Sequence, residues 1–190
     1  MLSQRTSRGL QIALIVTGFF SSLPASAQTS RETAALSEQE GSWSVVDTFK
    51  AGPDMAPEVS KGLVAERRMV GSFLEETLHT SETSRPLRID YLGYDTTAGQ
   101  WRYVSIEARI LVAPMSASSF ARDTPERITV RFEPFAAPPV APGWAGRMLR
   151  MEEVITRDGP DHETKDQYFI LADGTARPWL AHRYDYRRLH

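Results

Sequence analysis

From Gly41 onward the chain breaks into short runs in which apolar and polar residues alternate. Gly, Pro and Asp separate the runs. Residues 127–133 show the pattern most cleanly, with Ile128, Val130 and Phe132 on one face and Arg127, Thr129 and Arg131 on the other. A period of two marks a strand with one buried face. Comparable runs cover residues 42–49, 62–70, 73–79, 87–94, 101–112, 147–157, 163–172 and 179–187. Turns are supplied by Gly71-Ser72, by Asp95 to Gly99, by Asp158-Gly159-Pro160 and by Asp173-Gly174. About nine strands at regular spacing predict an all-β fold, an antiparallel up-and-down barrel of about 8–10 strands over residues 41–190. Closure is the expected outcome because a long meander must otherwise expose two edges.

Two connections are long. Residues 114–126 are small and polar around a single Phe120. Residues 134–146 hold Phe135, Pro138, Pro139, Pro142 and Trp144, and proline keeps this segment out of a central strand. The expected reading is a surface loop tucked onto the barrel, with a covering over a cavity as the alternative.

The first 27 residues read as a signal peptide. Arg5 and Arg8 precede an apolar run from Leu10 to Phe20, and Ala25-Ser26-Ala27 offers the small residues of a cleavage site. The run is shorter than the roughly 20 residues that span a bilayer. A secreted or periplasmic product with no membrane span after cleavage is expected. Residues 28–40 are polar and read as a flexible leader with one helical turn around 32–37.

Composition narrows the classes. Charged residues make up 24% of the 190, and the formal net charge is −2. Such a balance lacks the basic face a nucleic-acid binder needs, so no nucleic-acid partner is expected. The chain has no cysteine, so neither disulfides nor a thiolate metal site can support it. Its stability must come from a core. No nucleophile elbow, P-loop, dinucleotide fingerprint or zinc-protease motif is present, and no cofactor or metal is expected.

Several local features line up in order: Gly41-Ser42-Trp43, Gly71 to Glu76, Leu92-Gly93-Tyr94-Asp95 before a turn, Gly99-Gln100-Trp101-Arg102-Tyr103, and Tyr184 to Arg188 at the end. This order resembles a domain-of-unknown-function family of secreted bacterial proteins with a lipocalin-like (calycin) barrel. The resemblance implies that Trp43 stacks beneath an arginine from near the end of the chain, Arg187 or Arg183. It also implies that the face of Trp101, Tyr103, Ser105, Glu107 and Arg109 points inward, whereas simple burial of apolar residues would put Val104, Ile106, Ala108 and Ile110 inside. Where that family often has an aromatic and an Asp, this chain has Ser105 and Glu107.

The candidate pocket groups are Tyr91, Tyr103, Glu107, Tyr168 and His182. A buried Glu107 needs a cation, with Arg68 or Arg131 in view. His182 suits a barrel mouth as hydrogen-bonding group, general base or haem ligand, although no second element marks a haem pocket. The expected function is non-covalent binding of a small, apolar or amphipathic ligand inside the barrel. The alternatives are an enzyme using Glu107 or His182 as general base, and a solid-core interaction module. A carboxylate beside His182 would favour the enzyme. An exposed patch around Phe135 and Trp144 would favour the module. Oligomeric state is not legible.

Overall fold

The computed structural model describes residues 30–110, 112–120, 123–138, 143–175 and 177–190. The expected signal peptide lies outside the described residues. No helix among them is long and apolar enough to cross a membrane.

Helix α1 (Arg31–Ser37) begins at Ser30, whose hydroxyl accepts from the Thr33 amide at 3.1 Å. This is the helical turn expected in the leader. It is tied to the barrel, because Leu36 is fully buried against Leu74, Leu92 and Trp101.

The strands are β1 (Gly41–Phe49), β2 (Glu58–Val70), β3 (Phe73–Thr80), β4 (Thr83–Asp95), β5 (Gln100–Glu107), β6 (Met115–Ser118), β7 (Arg127–Phe132), β8 (Phe135–Ala136), β9 (Met148–Arg157), β10 (His162–Leu171) and β11 (Trp179–Arg188). Every pairing is antiparallel. Each strand from β1 to β7 pairs with the next, β7 pairs with β9, and the order continues through β10 and β11. β11 returns to β1, with Trp43 opposite Arg188. The result is a closed ten-stranded up-and-down barrel, with the two-residue β8 lying against the start of β9. Closure removes the exposed edges, as the pattern predicts.

β2 and β4 each begin four residues earlier than expected, and three further elements depart from expectation. β6 lies within a stretch read as a loop. Its sequence, Met-Ser-Ala-Ser, carries little alternation because the interior beside it is filled from elsewhere. Ala117 sits opposite the large Tyr103, whose ring meets Phe132 edge-on at 5.6 Å. β5 stops at Glu107 instead of running to Val112, because residues 108–110 turn away. β8 forms in the proline-rich stretch, where a two-residue pairing at the rim needs few donors.

Gly93 on β4 faces Phe73 on β3, and a Cβ there would come within 2.5 Å of the Phe73 ring. The ring lies across bare backbone, which is why the Gly-Tyr-Asp element begins with glycine.

Two guanidiniums contact the Trp43 indole, from Arg188 at 4.4 Å and Arg67 at 4.7 Å. The expected stacking partner is therefore corrected. Arg188 fills the role given to Arg187 or Arg183. Inward-facing residues alternate along β11, and Arg183 and Arg187 lie on its outer face, pairing with Asp166 and Asp185. Arg188 also donates to the carbonyls of Glu38 and Glu40 at 2.6 Å each, joining the end of the chain to the end of α1.

Candidate functional site

The barrel interior has two regions. One is an ion network enclosed by the walls. Arg67 reaches Glu76 and Glu163 at 2.7 Å each, Lys165 reaches Glu76 at 2.9 Å, and Arg88 Nε lies 2.9 Å from Asp90. All six side chains are at most 5% exposed. Burial alone would raise the Glu76 pKa, but Lys165, Arg67 and Arg88 outweigh it and hold the carboxyl far below its ordinary range. Glu163 shifts the same way, because Arg67 and Arg157 outweigh its burial. Burial drives Glu153 upward, with Gln167 donating to one of its oxygens at 2.6 Å. The free space within the network is about 10 Å³, too small for a ligand.

The other region is a cavity of about 390 Å³. Its lining is two-sided. Phe49, Phe135, Trp144, Phe169 and Trp179, with Met115, Leu149 and Met151, make an apolar wall. Asp47, Arg88, Ser105, Glu107, Arg109, His182 and Tyr184 make a polar one. The strand period produces this arrangement. β5 sends Ser105 and Glu107 inward, β11 sends His182 and Tyr184, and β1 sends Asp47. The aromatic wall comes mainly from around the β7–β9 connection and from β10 and β11. The Trp144 and Trp179 rings stack at 5.5 Å, and Phe169 meets Trp179 edge-on at 5.8 Å. From the stretch 134–146, Phe135, Pro138 and Trp144 therefore contribute cavity wall. Phe135 and Trp144 are half-buried in it rather than forming an exposed patch.

His182 is held on three sides. Its ring stacks on Phe49 at 4.6 Å and on Tyr184 at 5.3 Å, nearly parallel to the latter. Its Nδ1 lies 3.1 Å from Asp47 Oδ1 and 3.2 Å from the Tyr184 hydroxyl. Asp47 is 5% exposed. A carboxylate at this distance accepts from Nδ1–H and so places the acceptor lone pair of the neutral ring on Nε2.

The structure brings together two of the five sequence candidates on the cavity wall, Glu107 and His182. Tyr103 is interior but deeper. It borders the ion network, and burial pushes its hydroxyl pKa well up. Tyr91 and Tyr168 are corrections. On β4 the inward residues are Arg88, Asp90 and Leu92, so Tyr91 faces out, donating to Glu75 at 2.7 Å. On β10, Glu163, Lys165 and Gln167 point inward. The same unbroken alternation carries Phe169, not Tyr168, to the cavity; the bulge opposite lies on β11, where Ala181 is skipped in the pairing.

The expected partners of Glu107 are corrected as well. Arg68 pairs with Glu75 and Arg131 with Glu152, both on the outer surface. Glu107 is gripped by Arg109 instead, through Nε at 2.8 Å and Nη2 at 2.6 Å. Burial opposes its ionisation, but the Arg109 hydrogen bonds win and keep its pKa below the ordinary range. A carboxylate held this way is a poor general base.

Sequence reading missed Asp47, Arg88, Phe49, Phe169 and Trp179, and it offered Phe135 and Trp144 only as an alternative covering of a cavity. The alternation of β1 carried a usable signal, since Asp47 falls in phase with the buried Trp43 and Val45. Asp158, Asp161, His162, Glu163 and Asp166 crowd one hairpin in sequence, but their side chains do not converge on a common point. Glu163 enters the ion network while His162 pairs with Asp185, and no metal-holding group of three occurs among the described residues.

Neither a protein-family model nor a curated protein matches the sequence. Among solved structures, the crystal structure of Rv2717c from M. tuberculosis is similar. It superposes with a TM-score of 0.50 at 16% identity, over 85% of this chain and 99% of that one. At this identity the likeness concerns the barrel fold alone.

Proposed function

We propose that this is a secreted or periplasmic lipocalin-like protein that binds a small amphipathic ligand non-covalently inside the barrel. The observation that carries the reading is the two-sided cavity. Its volume falls in the range of small-molecule sites, and an aromatic wall faces a few converging polar groups. Burying about 200 Å² of apolar ligand surface is worth roughly 5 kcal/mol before association costs, enough for moderate affinity.

The half-burial of Phe135 and Trp144 in the cavity wall argues against the solid-core interaction module. The enzyme reading gains the carboxylate it called for, Asp47. It gains no nucleophile, since no described hydroxyl or amine hydrogen-bonds to Nε2 of His182. Binding without chemistry is the simpler account.

The test is native mass spectrometry of protein purified from the periplasm, with titration of apolar dyes followed by tryptophan emission. A co-purifying small molecule or saturable dye uptake is expected. Reproducibly ligand-free protein that takes up no dye would overturn the reading.

A further inference from the structure

We propose that the polar end of the ligand is a weakly acidic hydroxyl on a flat aromatic body, and that Nε2 of His182 is the atom that accepts its proton in a hydrogen bond. This rests on the cavity reading above and adds the ligand's chemical class. The inference stands on three features of the wall.

The first is how the ring is fixed. Phe49 and Tyr184 stack on it, and Asp47, itself buried, accepts a hydrogen bond from Nδ1–H. These contacts leave little rotational freedom and determine which nitrogen is free. Nε2 has no protein partner among the described residues, although His182 borders the cavity. A positioned acceptor of this kind is a ligand-reading feature, since holding it unpaired gains the fold nothing.

The second is what surrounds it. The charged groups facing the cavity near His182 are Asp47, Lys50, Glu58, Arg88 and the Glu107–Arg109 pair. They balance three against three, and Glu107 and Arg109 already satisfy each other. Arg88 is also paired with Asp90, and Lys50 donates to the Pro53 carbonyl. The charge facing the cavity sums to zero, which favours a neutral donor over an ionic head group.

The third is the opposite wall. The stacked Trp144–Trp179 pair and the edge of Phe169 make flat and edge-on aromatic surfaces, the shape that favours a planar ring over a flexible chain.

The experiment compares two probes of nearly equal shape, β-naphthol and its methyl ether, which lacks the O–H. Each is titrated into the full protein, and into the His182→Phe and Asp47→Asn variants, at about pH 8, above the usual imidazole range. His182→Phe keeps a ring between Phe49 and Tyr184 and removes the acceptor, together with the Nδ1–H that Asp47 accepts. In the unmodified protein β-naphthol is expected to bind about five-fold or more tighter than the ether. Its bound fluorescence should also show naphtholate emission, since an adjacent base takes the proton in the excited state. Both signatures should vanish in His182→Phe, while the ether binds as before. Asp47→Asn should weaken the naphtholate emission.

Ether binding with no naphthol preference would overturn this inference and leave the cavity reading standing. A preference that survives His182→Phe would assign the acceptor elsewhere and overturn it too. Failure of both probes to bind saturably would count against the cavity reading as well.

Discussion

The Cζ of Arg188 lies 4.4 Å from the centroid of the Trp43 indole, across the seam where the last strand meets the first. The same guanidinium accounts for two carbonyls at the end of α1 and one at Pro160. A single side chain thus ties the closing strand pair, the helix and the β9–β10 turn.

Replacing it should be costly. Arg188→Ala is expected to lose about 2–3 kcal/mol, the sum of a partly desolvated cation–π contact and charged hydrogen bonds. Arg188→Lys keeps the charge but not the flat fork, and should recover less than half. Urea unfolding with an unchanged slope measures both. A loss below about 0.5 kcal/mol would show that the seam does not depend on this residue.

The ion network predicts acid sensitivity. Glu76 and Glu163 are held below their ordinary range in the folded state. Their contribution is therefore present above about pH 4 and is lost as pH falls through the folded values. Arg67→Met removes the cation between them and should cost about 3 kcal/mol at neutral pH, because each buried carboxylate loses a partner, Glu76 keeping Lys165 and Arg88 and Glu163 keeping Arg157. It should also move the acid unfolding midpoint upward, which a pH titration of circular dichroism would detect.

Glu153 has the opposite sign. Burial raises its folded pKa, so between the ordinary carboxylate range and the raised value the unfolded chain gives up a proton that the fold retains. Stability falls with rising pH across that interval. Glu153→Gln keeps a partner for Gln167 and removes the proton uptake. Its stability should fall less as pH rises above the ordinary carboxylate range than that of the unmodified protein, and denaturant titrations at several pH values test this. Parallel curves would reject the assignment.

Filling the cavity should separate binding from folding. Ser105 is 4% exposed and lies on the polar wall. Ser105→Phe projects a ring into the open space and is expected to reduce dye affinity at least ten-fold. Stability should change by no more than about 2 kcal/mol in either direction, since added apolar burial offsets local repacking. Undiminished dye uptake in a folded Ser105→Phe protein would place the binding site elsewhere.

The fold was legible because a barrel strand writes its inner face into every second residue. Nine of the strands followed from that period, and the turn glycines marked their ends. β6 was not legible, since Ala117 opposite Tyr103 needs no bulk of its own. The site was harder to read. Glu107 and His182 lie where alternation puts them. Tyr168 was chosen for its hydroxyl, although it lies one position out of phase with Glu163, Lys165 and Gln167, whose alternation carries Phe169 inward. Tyr91 was chosen for its chemistry, while its neighbours Asp90 and Leu92 carry the inward phase. Asp47 belongs with His182 only through the pairing of β1 with β11, a contact 135 residues apart in sequence.

The paired charges that fill much of the barrel interior bear on how the protein responds to temperature. Unfolding exposes those ionic groups to water along with the hydrocarbon, and hydration of polar surface offsets the heat-capacity increase that apolar surface brings. Warming also lessens what ions lose by leaving water. Both effects flatten the curve of free energy against temperature, so the barrel should hold its shape over a wider span, cold and hot, than a chain of this length with a purely oily centre.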